Sequence, residues 1–74
     1  MNQSEVARLR EQIELQIEAM QRGMHGFSTG ATRHAFIRAR LERLDQYHAA
    51  LTRQIGEEDA NQVVYGLCSE VMAS

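Results

Sequence analysis

Between residues 23 and 34 the chain reads GMHGFSTGATRH, which places three glycines, three hydroxyl side chains and two histidines in twelve positions. Two chemistries use such a mixture: phosphate binding by a glycine-rich loop, and nucleophilic catalysis by a hydroxyl beside an imidazole. A phosphate loop is entered from a strand and carries a lysine before its last hydroxyl residue to reach the phosphates. Here helix-forming sequence leads in, and Ala31 precedes Thr32 where that lysine would stand. The stretch therefore reads mainly as a turn. Gly23 or Gly26 suits the end of one helix, and Ser28, Thr29 or Thr32 suits the cap of the next, with Phe27 as the apolar plug between them. The free backbone N–H groups beside Thr32, Arg33 and His34 could hold a carboxylate or phosphate, although a capped helix end with a solvated arginine fits the same residues.

The other reactive side chains are scattered. His25, His34, His48 and Cys68 are the soft or borderline metal ligands apart from methionine. His34 and His48 stand fourteen residues apart on one expected helix, roughly 21 Å along its axis, so one chain cannot bring them to one ion. Ser28 lies near His25 and His34, but a nucleophile, a base and an orienting acid need a defined pocket, and a small hairpin without a sheet offers little concavity. Glu11, Glu14 and Glu18 project from the polar side of their helix. Neither a metal, a cofactor nor an enzymatic activity is expected.

The elements behind these residues follow from composition. The chain has 74 residues, 43% hydrophobic and 24% charged, with no proline and one cysteine. That is one domain at most, and a folded chain of this size buries only about 60% of its unfolded surface, which leaves a monomer marginal without a staple. A lone Cys68 supplies no internal disulfide and suits a reducing compartment. No run approaches a membrane span, and MNQSEVARLREQ is polar rather than signal-like, so a cytoplasmic protein is expected.

Leu, Glu, Gln, Arg, Ala and Met dominate, and all favour helices. Asn2 or Ser4 can cap a first helix over about 4–22, with Glu5 placed for a capping box under Asn2. Val6, Leu9, Ile13, Ile17, Met20 and Met24 recur every three or four residues along it. After a turn over 23–32, a second helix over about 33–55 carries the seam Ile37, Leu41, Leu44, His48, Leu51 and Ile55, with coiled-coil-like spacing. Gly56 ends it as a C-cap, and Glu57, Glu58 and Asp59 open a third helix over about 57–72, favoured by the helix dipole. Ala60, Val64, Leu67, Cys68 and Val71 form its buried face. VVYGLC could also be a short strand, and Gly66 weakens a helix, but no second strand is available to pair with it.

The expected architecture is all-α: a long antiparallel helical hairpin with a short C-terminal helix, associating into a helical bundle. Two single stripes make a thin core, and a homodimer of hairpins thickens it. Leu15, far from its helix's stripe, would otherwise stay exposed. His48 interrupts the seam, as a residue fixing register or, at a dimer axis, one whose protonation would weaken assembly. It is also the one candidate for a ligand or metal held between copies.

Charge narrows the partner. All eight basic residues are arginine and the net charge is −2. Residues 1–30 carry −1, residues 31–55 carry +3 and residues 56–74 carry −4, so the basic middle helix lies between acidic neighbours. Arg33, Phe36, Arg40, Arg43 and Tyr47 fall on one flank of that helix. Arginine interleaved with aromatics suits a protein partner, and less well a nucleic acid, since three arginines are few and the acidic third helix opposes phosphate. The sequence thus points to a small homo-oligomeric interaction or scaffold module that binds itself and an unidentified protein partner. A nucleic-acid-binding regulator using the same flank is the alternative.

Overall fold

The computed structural model describes residues 3–23 and 29–73, and no strand occurs among them. Helix α1 spans Gln3–Gly23, α2 spans Gly30–Ile55 and α3 spans Glu57–Ala73. The helices pack on one another as an all-α bundle in which α2 runs back along α1 and α3 turns back along α2. The sites expected at Met24, His25, Gly26, Phe27 and Ser28 lie outside the described residues.

Local chemistry explains each boundary. Glu5 occupies the first turn of α1 and Arg22 the last, as the helix dipole favours. Glu5 also pairs with Arg8 one turn on at 2.9 Å, an exposed contact of small energetic weight. At the start of α2, Thr29 has extended backbone, with φ −127° and ψ 150°, and its hydroxyl accepts the Thr32 backbone N–H at 3.1 Å. Its hydroxyl hydrogen is donated to Thr32 Oγ1 at 2.7 Å. Helix α2 therefore begins three residues before the expected start at 33, because the earlier threonine takes the cap and Gly30, Ala31 and Thr32 become the first turn.

One residue joins α2 to α3. Gly56 has φ 93°, a left-handed value, and its N–H bonds Thr52 O at 2.8 Å while its carbonyl accepts Ala60 N–H at 3.0 Å. The same glycine ends one helix and starts the next. Ala60, one turn into α3, is fully buried against this corner's core.

The core is built from Leu9, Ile13 and Ile17 of α1, Leu51 of α2, and Ala60, Leu67 and Val71 of α3. The expected stripes of α1 and α3 supply all six of their members. Gln16, which the apolar pattern passes over, is buried among them at 7% exposure, and its Oε1 has no hydrogen-bond partner. By contrast α2, the longest helix, buries only Leu51 fully. The molecule measures 43 × 23 × 19 Å with a radius of gyration of 13.1 Å, against about 11 Å for a compact domain of this length. It is a rod with a slender core.

Candidate association surface

Helix lengths create the site. At about 1.5 Å per residue the 26 residues of α2 reach roughly 39 Å and the 17 of α3 roughly 25 Å, so α3 ends well short of the start of α2. The hairpin of α1 and α2 continues past the tip of α3 without a third layer. Where α3 stops, Ile17, Met20 and Gln21 of α1, Ile37 of α2, and Cys68 and Met72 of α3 line an apolar groove of about 360 Å³. Met72 is 72% exposed at the tip. Ile37 continues the groove into a second hollow with His34, Arg38 and Leu41, and Leu41 is 45% exposed.

The expected seam of α2 is thus divided along its length. Leu51 is buried, and Leu44 and Ile55 pack against the core within the chain. Ile37 and His48 are half-buried, and Leu41 stands exposed. His48 has a partner in its own chain: its Nε2 lies 2.7 Å from Asn61 Oδ1 on α3. With Oδ1 as acceptor the ring proton sits on Nε2, and that bond is available whether or not Nδ1 is also protonated. Thr52 Oγ1 donates to the His48 carbonyl at 2.9 Å, so both ends of this residue are fixed. The pairing is a clasp between α2 and α3 that the position of Asn61 alone did not suggest.

The five residues of the arginine and aromatic flank lie at different depths. Arg33 and Arg43 are exposed, while Phe36 and Arg40 are half-buried, with the Arg40 guanidinium 5.5 Å from the Phe36 ring centre. Arg40 Nε is itself covered and unbonded. Tyr47 packs against the core. The flank therefore offers two outward arginines and a cation–π pair rather than a continuous row.

Among the described residues no three His, Cys, Asp or Glu side chains gather where an ion could be held, and no helix is long and apolar enough to cross a membrane. Cys68 is a free, half-buried thiol in the groove wall. The class defined by this geometry is a three-helix bundle with one apolar end left open. The chain matches no protein-family model, no curated protein and no solved structure.

Proposed function

We propose that this protein is a small helical interaction module that associates with itself and, as an assembly, holds a protein partner. The observation that carries the reading is the open apolar groove at the tip of α3, continuous with exposed Leu41 and Met72. Apolar surface gathered in one place on a small chain marks an interaction site rather than scatter. Two methionines in its lining suit it further, since unbranched thioethers fit a variable apposed surface. The thin core adds a motive, because covering this groove supplies the hydrophobic burial that a 74-residue monomer lacks.

Arg33, Arg43 and the Phe36–Arg40 pair would then be the outward contact to a different protein, and the lone thiol Cys68 is compatible with action in a reducing cytoplasm. Nucleic-acid binding draws less support. Stacking on bases needs an open aromatic face beside the arginines, and on this flank Tyr47 is committed to the core while Phe36 lies beneath Arg40; the exposed Tyr65 stands on the acidic α3. Light scattering after size exclusion at low micromolar concentration tests the reading. A mass of at least two chains is expected, and a monomer up to the highest attainable concentration would refute it. Retention of duplex or single-stranded nucleic acid with a steep salt dependence, lost in Arg33→Glu with Arg43→Glu, would favour the alternative.

A further inference from the structure

We infer that the groove at the tip of α3 binds a single-chain anionic amphiphile, a free fatty acid or similar carboxylate, with its tail among Ile17, Met20 and Met72 and its head beside Arg38. This goes beyond the self-association proposed above and does not depend on it. Five of the six side chains lining the groove are apolar, Gln21 being the exception, and Ile17 is buried. At about 360 Å³ the space lies at the lower end for a bound small molecule. A helix about 10 Å across would fill that volume with less than one turn, whereas an alkyl chain can lie in it along its length.

Charge fixes the head and the direction. Ile37 belongs both to the groove and to the hollow of about 340 Å³ that His34, Arg38 and Leu41 line with it. Apolar surface therefore runs from Met72 through Ile37 to Leu41, with one cation beside it. Arg38 is exposed and has no ion-pair or hydrogen-bond partner among the described residues, so its guanidinium is open to a carboxylate in the two-pronged geometry that this pair favours. His34 adds a ring N–H donor. A separate hollow meets the groove at Gln21 and is lined by Glu14, Glu18, Arg22 and Glu70. It suits a cationic head less well: polar Gln21 interrupts the apolar path, Arg22 offsets part of the acid charge, and Glu70 already has a partner. Its acids also repel a carboxylate, which turns the head of the ligand toward α2. A second copy and the ligand would take the same apolar surface in turn.

Titration calorimetry with dodecanoate, kept below its critical micelle concentration, tests the site. Cys68 reports its position, because the chain's single thiol lies in the groove wall. One ligand per chain is expected, with alkylation of Cys68 by iodoacetamide slowed at least tenfold when the ligand is bound. Affinity should rise about fourfold for each methylene between octanoate and dodecanoate, the factor for burying one such group. Arg38→Glu, at an exposed position, should weaken dodecanoate at least tenfold while leaving dodecanol binding and helicity by circular dichroism unchanged. Met72→Glu, at the exposed tip, should weaken both ligands. Unaltered Cys68 labelling in dodecanoate, equal affinity for dodecyltrimethylammonium, or binding to anionic vesicles but not to the free acid would each overturn the site. A chain that is monomeric throughout by light scattering yet protects Cys68 loses the self-association and keeps this site, and a dimer without protection does the reverse.

Discussion

Gln16 is the residue whose position costs most for what it visibly does. A buried amide oxygen without a partner forfeits about 1–3 kcal/mol, yet Gln16 stands among Leu9, Ile13 and Ile17. Arg40 Nε is a second covered and unbonded atom, and one is an acceptor and the other a donor. Gln16→Leu keeps the volume and removes the orphan carbonyl, so the midpoint of urea unfolding should rise, by about 1 kcal/mol of stability; a drop of that size would mean the amide is bonded in solution. Gly66 presents the opposite case. An added Cβ there meets nothing within 4 Å, and the residue is exposed in the middle of α3. Gly66→Ala should therefore stabilise by about 0.5–1 kcal/mol and raise helicity, measured by thermal melting. Neither feature was legible beforehand to the same degree. Gly66 is visible as a helix weakener from its type alone, whereas Gln16 hides because a pattern of apolar residues skips a polar one that shares their face.

At the scale of the elements, two single residues hold the boundaries, and they should respond differently. Thr29→Ala removes the side-chain oxygen that accepts Thr32 N–H, at a cost of about 1 kcal/mol and with fraying confined to the start of α2. Gly56→Ala has ample room for a methyl but forces a left-handed backbone on an L side chain, costing about 1–2 kcal/mol and reaching both helices at once. Amide exchange read residue by residue separates the two: local in the first case, spread over the α2–α3 corner in the second. All three helices were legible because the chain is rich in helix formers and its apolar residues repeat every three or four positions. The start of α2 was set three residues late because two threonines, Thr29 and Thr32, can each cap, and sequence alone does not choose between them. The His48–Asn61 clasp and the groove were not legible for a shared reason: both depend on how far one helix has slid along another. His48 lies about two turns before Gly56 and Asn61 about a turn and a half after it, and while the one-residue link between the helices is legible in the sequence, the angle at which it sets α3 against α2 is not.

For the whole molecule the governing quantity is exposed surface. A compact monomer of 8.4 kDa exposes about 4600 Å², and this chain exposes 5175 Å², an excess that a rod with one uncovered end must carry. Burying such an excess between copies makes stability depend on concentration, so the thermal midpoint should rise by several degrees between 1 and 100 μM, as two-chain melting requires. A midpoint independent of concentration would assign the full stability to the single chain. Gly56 carries a further consequence that concerns time. A corner of one residue brings α2 and α3 together at almost no loop-closure entropy, whereas α1 reaches its place only by closing across the segment after Gly23. The corner between α2 and α3 is then expected to close before α1 docks, which pulse-labelled amide exchange during refolding would show as earliest protection around Gly56. During synthesis, by contrast, α2 follows α1 and can cover part of the stripe of Leu9, Ile13 and Ile17 before α3 emerges, so the order of translation and the order of closure differ.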